Sequence, residues 1–204
     1  MTKIRSQDQL LDAAAKVFSE KGYDAARLED IAAEVGVLQG SLYYHIESKA
    51  GLLRMLRVRR FRDITSRIDA IATSDDAPKE KLRRACLEHL QHTERHLAES
   101  PQWFNNPRDP RKTADESAED RELTARFRDA WRSILEQGVA AGVIRADLDL
   151  RLAVLSILGM LNWVTNWYER DGRRSIAEVA EFQFDLIWRA VTSRPVKTPP
   201  RPSL

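Results

Sequence analysis

The chain of 204 residues has one cysteine, Cys86, so it contains no internal disulfide and its fold must be held by packing. Its eight glycines are scattered. None form the Gly-rich loop that cradles a phosphate, and there is no Ser-centred nucleophile elbow and no H-E-x-x-H pair. The usual enzymatic signatures are therefore missing, and no cofactor is implied. Period-two alternation of apolar and polar residues is nowhere sustained, which excludes a sheet-based fold. The most apolar run, Leu152 to Val164, is interrupted by Ser156, Gly159 and Asn162 and falls short of the ~20 residues that span a bilayer. A buried helix is expected there instead.

Charge of one sign is also missing. The chain carries 33 Lys and Arg against 31 Asp and Glu, a net charge of +2. Residues 1–50 hold six cations against eight anions, and the arginines cluster just beyond, at Arg54, Arg57, Arg59, Arg60, Arg62 and Arg67. Any contact with nucleic acid must rest on a few well-placed donors, not on a broad basic surface. The polar start (Thr2, Lys3, Arg5, Ser6, Gln7, Asp8) predicts no signal peptide, and with the lone cysteine it suits a cytoplasmic setting.

What is present is helical periodicity. Leu28, Ile31, Ala32 and Val35 fall at i, i+3, i+4 and i+7, and Gly36 follows where a left-handed helix end belongs. Val37 and Leu38 are apolar and predict a turn that packs inward. Residues 39–45 make about two turns of helix with only Leu42 plainly apolar. So short a helix with so little to bury is poorly explained by core building. It is well explained as a recognition helix in a DNA major groove. Gln39, Gly40, Ser41, Tyr43, Tyr44, His45 and Lys49 are the candidate DNA-binding residues. Gln39 would read a base edge, Gly40 would allow close backbone approach, and Tyr43, Tyr44 and Lys49 would hold phosphates.

The run IAAEVGVLQGSLYYHIESKAGLL resembles the DNA-binding region of the tetracycline-repressor (TetR) family. The match holds at Ile31, Ala32, Gly36, Val37, Gly40, Ser41, Leu42, Tyr43, Tyr44, His45, Ser48, Lys49, Leu52 and Leu53. It departs at Arg27, Leu38, Ile46 and Ala50. Arg27 and Leu38 replace hydroxyl residues, so the phosphate and capping contacts of those hydroxyls are not carried over. Ile46 still fills a core position.

Around this motif the expected fold is all-α, with a three-helix helix-turn-helix domain over 1–50, a helical ligand-binding and dimerisation domain over 51–192, and a disordered Pro-rich tail over 193–204. Helices are predicted over 7–21, 49–72, 78–99, 122–141, from about 149 to 170, and 175–192. Ser48 and Ser175 are the expected caps of two of them. The helix over 49–72 carries the inner stripe Val58, Phe61, Ile64, Ile68 and Ile71 and joins the two domains.

The helix from about 149 to 170 is apolar nearly all round, and its neighbour over 175–192 is rich in aromatics. One chain cannot easily cover both faces of two such helices. A two-fold homodimer that pairs them as a four-helix bundle solves this, with Trp167, Phe184, Ile187 and Trp188 as candidate seam residues. The TetR resemblance implies the same dimer and an apolar pocket in the second domain. The candidate ligand-binding residues are Trp103, Phe104, Phe127, Trp131, Met160 and Trp163, with Trp103 and Phe104 suited to a lid. The segments WRSILEQGVAAGVIRADLDLRLAV and WVTNWYERDG look like TetR regulators of steroid and fatty-acid breakdown in actinobacteria. That likeness implies a CoA thioester as effector.

His89, His92 and His96 are spaced i, i+3 and i+7, and Cys86 lies one turn earlier. Three ligands along one straight helix cannot converge on one ion, so no metal site is predicted. The expected function is a homodimeric repressor that reads a palindromic operator in double-stranded DNA and is released by a small apolar effector, with acyl-CoA the leading class. The alternatives are a helical carrier protein that uses the pocket alone, separated by operator binding, and a metal-responsive regulator, separated by metal content.

Overall fold

The computed structural model describes residues 6–96 and 118–192. Among the described residues there are eight α-helices, a short 3-10 turn and no strand. In chain order they are α1 (Gln7–Lys21), α2 (Leu28–Val35), α3 (Gln39–Leu42), α4 (Lys49–Ala72), α5 (Pro78–His96), α6 (Ala118–Ala140), α7 (Leu150–Trp163), the 3-10 turn Val164–Asn166, and α8 (Ile176–Thr192).

The helix ends follow from local chemistry. Ser6 Oγ accepts a hydrogen bond from the Gln9 amide at 3.2 Å, and Ser48 Oγ accepts from that of Gly51 at 3.0 Å. Asp149 caps α7 through the Leu152 amide at 3.0 Å. Ser175 and Glu178 cap α8 reciprocally, each side chain accepting from the other's backbone N–H. Gly36 closes α2 with φ 78° and ψ 34°, a left-handed conformation that costs a residue with a Cβ and costs glycine little.

Two hydrophobic cores result. The smaller one gathers Leu10, Ala14, Phe18, Ile31, Leu42 and Ile46 with Leu52 and Leu56 of α4. The larger one gathers Ile64, Ile68 and Ile71 of α4 with the inner faces of α5, α6, α7 and α8. The first half of α4 is therefore built into the DNA-binding unit and the second half into the sensor domain. In the larger unit α8 packs on α5, and α4, α5 and α6 pack on one another.

Several expectations need correction. The helix expected over 39–45 stops at Leu42, and Tyr43 to His45 form a turn. Leu38 does not pack inward: it is 63% exposed, while Val37 does pack on the small core. The helix expected to reach 170 ends at Trp163. There the Thr165 hydroxyl donates to the Asn162 carbonyl at 2.9 Å and the Asn166 amide donates to the Trp163 carbonyl at 3.2 Å. Side chains that compete for backbone carbonyls end a helix in this way. The chain then turns Tyr168 inward, where its hydroxyl donates to Glu94 at 2.5 Å. The end of α6 doubles back on itself, so a Cβ at Gly138 would overlap the side chain of Ile144. Trp103, Phe104 and the tail over 193–204 lie outside the described residues.

Candidate functional site

The helix-turn-helix is a small rigid wedge. The Gly36 amide donates to the carbonyls of Ala32 and Ala33 at 2.9 and 3.1 Å, and the Val37 amide donates to that of Ala32 at 3.0 Å. This fixes the angle at which α3 leaves α2. Leu42, the last residue of α3, and Ile46, just past the turn that follows, plug into the small core. Between them Tyr43 and Tyr44 are 56% and 89% exposed, and Gly40 and His45 are exposed beside them. Two bare tyrosines on one short helix end, held by two buried aliphatics, form a surface that the chain's own packing does not use.

Two candidate DNA contacts have partners within the protein. The Gln39 side-chain amide donates to Glu29 Oε1 at 3.1 Å, which orients it at the start of α3. Lys49 is committed to the interior of the unit. Its Nζ donates to the carbonyls of Tyr23, Asp24 and Ala26 at 2.8, 3.3 and 2.9 Å, and lies 4.5 Å over the Tyr23 ring. An ammonium has three donors, and all three are engaged. Lys49, expected to hold a phosphate, here ties the α1–α2 loop to the start of α4. Arg27 was set aside because it lacks a hydroxyl. Its backbone N–H donates to Asp30 at 3.0 Å, and its guanidinium is exposed at the N-terminus of α2.

The sensor domain holds an aromatic cluster between α4, α5 and α6. The rings of Phe61 and Phe127 lie 5.2 Å apart, and those of Phe127 and Trp131 6.4 Å apart. Trp131 is completely buried, and Phe127 is buried with it. His89 completes the cluster, 6.0 Å from Phe127 and 6.0 Å from Trp131. Its Nε2 is hydrogen-bonded to Asn162 Oδ1 of α7 at 2.9 Å. Burial lowers the His89 pKa to about 4 and that of His92 to about 3, so both are neutral at pH 7. The burial of His89 follows from helical spacing. The signal was present: Leu82, Cys86, His89 and Thr93 share one face of α5, and all four are buried. Among the described residues no three His, Cys, Asp or Glu side chains are placed to hold a metal ion.

Met160 and Trp163 do not join this cluster. α7 buries Val154, Ile157, Leu158 and Leu161, and the helical repeat turns Met160 and Trp163 to the opposite face. There Trp163 is 64% exposed. Two of the expected seam residues need the reverse correction. Phe184 and Ile187 are buried in the chain's own core, and Trp188 is half-buried and stacked on Phe184 at 6.2 Å. The outward apolar residues of α8 are Phe182 and Leu186. With Trp163, Trp167, Leu152 and Leu155 they give α7 and α8 an uncovered apolar face.

The DNA-binding unit and the sensor domain meet around a cleft of about 690 Å³ lined by α1, the α3–α4 turn, the first half of α4 and the start of α6. Across it Arg54 pairs with Asp120 at 3.3 Å, and Arg62 with Glu119 at 2.6 Å. The start of α6 therefore grips the half of α4 that belongs to the DNA-binding unit, while the middle of α6 carries Phe127 and Trp131. No helix of the described residues is long and apolar enough to cross a membrane.

Comparison with known proteins agrees with this architecture. The family model for the N-terminal domain of bacterial regulatory proteins of the tetR family matches residues 10–56. The model described as tetracyclin repressor-like, C-terminal domain matches residues 75–191. The HTH-type transcriptional repressor KstR2 of Mycobacterium tuberculosis is 30% identical over 197 residues, covering 92% of this chain and 94% of its own. A TetR/AcrR-family regulator of Thermobifida fusca has a similar structure, with a TM-score of 0.75, 28% identity, and coverage of 92% of this chain and 98% of its own. The regulator FadR of Bacillus subtilis, solved in complex with stearoyl-CoA, shares the fold with a TM-score of 0.73 at 22% identity over 89% of this chain and 97% of its own.

Proposed function

Because this chain belongs to the TetR family of bacterial regulatory proteins, we propose that it is a homodimeric transcriptional repressor that leaves its operator when a small, largely apolar effector binds. The observation that carries the reading is the arrangement of α4. Its first half is packed into a helix-turn-helix with Tyr43 and Tyr44 bare, and its second half lines the aromatic cluster of the sensor domain. A change at the cluster that shifts α4 or α6 necessarily shifts the helix-turn-helix.

The dimer uses the uncovered face of α7 and α8, with Trp163, Trp167, Phe182 and Leu186 at its centre. A two-fold axis through that face sets two recognition helices on successive major grooves, ~34–36 Å apart, and calls for a palindromic site. Tyr43, Tyr44, Ser41 and His45 hold the backbone, Gly40 allows close approach, and Gln39 faces the base edges. The protein acts in the cytoplasm, where such a site is found.

The effector enters between α4, α5, α6 and α7, against Phe127 and Trp131. A CoA thioester is its proposed class. The segments that flank α7 support this, and the complex of FadR with stearoyl-CoA shows that the fold can hold such a molecule. Effector and operator oppose each other by linkage, each weakening the other by the same factor.

The test is selection of a binding site from random duplex DNA, followed by titration with stearoyl-CoA. The expected result is a palindromic site bound by a dimer and released by the thioester. Selection of no sequence would contradict the repressor, and a site bound but untouched by any acyl- or steroid-CoA would contradict the effector class alone.

A further inference from the structure

Several buried polar atoms of the sensor domain have no hydrogen-bond partner; Gln183 Oε1 and Arg145 Nε are two, and three more lie on α5 and α6: Nδ1 of His89, Nε2 of His92 and Nε1 of Trp131. His89 and His92 are more than nine-tenths buried, and Trp131 is wholly so. Burying a hydrogen-bonding group without a partner is costly, and a native core rarely gathers several such groups in one place. His89 and His92 lie one turn apart on the inner face of α5, and the Trp131 indole stands edge-on to the His89 ring at 6.0 Å. Asp63 Oδ2 is 3.9 Å from His92 Nε2, beyond hydrogen-bond reach. The rings around the two inner groups, Phe61 and Phe127, offer no polar atom. His89 and Trp131 thus bring two unpartnered polar atoms into one apolar cluster, and His92 lies one turn along α5.

We infer that His89 and Trp131, with His92 beside them, form the polar end of the effector site, and that they bind the uncharged carbonyl oxygen of a thioester and not a carboxylate. The assignment rests on the effector reading above and supplies its recognition chemistry.

The donor pattern sets the class. Trp131 Nε1–H can only donate. His89 is held by Asn162, and turning the Asn162 amide over changes whether His89 presents a bare nitrogen or an N–H at Nδ1. A carbonyl oxygen accepts from Trp131 and from His89 in its Nδ1–H form. Both histidines are neutral at pH 7, because burial holds them far below their ordinary pKa. No cation acts on His89, whereas Arg95 acts on His92 and Arg60 and Arg95 on His96, so a carboxylate beside His89 and Trp131 would be buried without a counter-ion. Burying an unpaired charge in that cluster is far more costly than burying a neutral oxygen.

The experiment compares stearoyl-CoA with S-octadecyl-CoA, the thioether that has a methylene in place of the carbonyl, by calorimetry on the full chain. Wild type should bind the thioester about tenfold tighter or more, since a site built to hydrogen-bond an oxygen discriminates against its absence. Trp131→Phe and His89→Leu should each shrink the ratio of thioester to thioether affinity toward one, whatever they do to overall affinity. Equal binding of the two compounds by wild type overturns the assignment without any variant. Undiminished preference in both variants overturns it as well. If wild type binds neither compound nor any other acyl- or steroid-CoA thioester, the effector reading fails and this assignment falls with it. If wild type binds and is released from operator by both alike, only this assignment fails.

Discussion

Lys49 donates a hydrogen bond from Nζ to the carbonyl oxygen of Tyr23 at 2.8 Å and also sits 4.5 Å over the ring of the same residue. The side chain braces the DNA-binding unit from within, and we expect it to act on DNA binding through the fold of that unit. Lys49→Met should leave three carbonyls without this donor and destabilise the unit by about 1–3 kcal/mol. A lower urea midpoint is the expected result. An unchanged midpoint with weaker operator binding would return Lys49 to the DNA surface.

Tyr44 presents the opposite case. At 89% exposure it stabilises little. Tyr44→Ala should keep the melting temperature and weaken binding to all sequences. Gln39→Ala should relax preference at particular base pairs, at a cost of about 1–3 kcal/mol of discrimination. Arg27→Ala should lower affinity uniformly and reduce the salt slope by about 1. Competition binding across salt concentrations separates these three outcomes.

The outward face of α7 and α8 can be tested against the inward one. Trp163→Asp or Phe182→Asp should yield a folded monomer with much weaker operator binding, seen by light scattering. Phe184→Ala, by contrast, opens a cavity in the chain's own core and should cost about 3–5 kcal/mol of stability. A dimer that survives both aspartate variants would move the seam elsewhere.

The Arg54–Asp120 pair spans the cleft between sensor and DNA-binding unit at 3.3 Å. Asp120→Asn should bind effector as wild type does, because Asp120 is remote from Phe127 and Trp131 on α6. Its operator release should be weakened by a factor of about 5 or more, the scale of a typical coupling energy. Full release with unchanged effector affinity would show that the signal travels another way.

The buried histidines make stability depend on pH in a predictable direction. In the unfolded chain His89 and His92 take up a proton below about pH 6.5. In the fold burial lowers their pKa to about 4 and about 3. Neutral histidine therefore stabilises the fold fully above pH 6.5, and that contribution is lost as pH falls from 6.5 toward 4. The loss is about 1 kcal/mol per pH unit from each residue. Urea midpoints at pH 7.5, 6 and 5 should fall in that order, and less steeply in a His89→Leu, His92→Leu protein.

The amino-acid sequence by itself determined the helices and the motif. Caps such as Ser48, the left-handed Gly36 and the 3.6-residue stripes are local, so α1, α2 and α4 could be read to the residue. The recognition surface was legible because Leu42 and Ile46 are anchors amid residues with nothing to bury. Which side of a helix faces what was not legible where both sides are apolar. On α7 and α8 the periodicity allows either face to be inner, and only packing against α5 and α6 turned Phe184 and Ile187 inward and Trp163 and Phe182 outward. The partner of Lys49 was equally hidden, since Tyr23 and Ala26 meet it only when α1 closes on α4. The same holds for His89, polar by type and buried by place: its neighbours Phe127, Trp131 and Asn162 lie on α6 and α7, and no local rule brings them together.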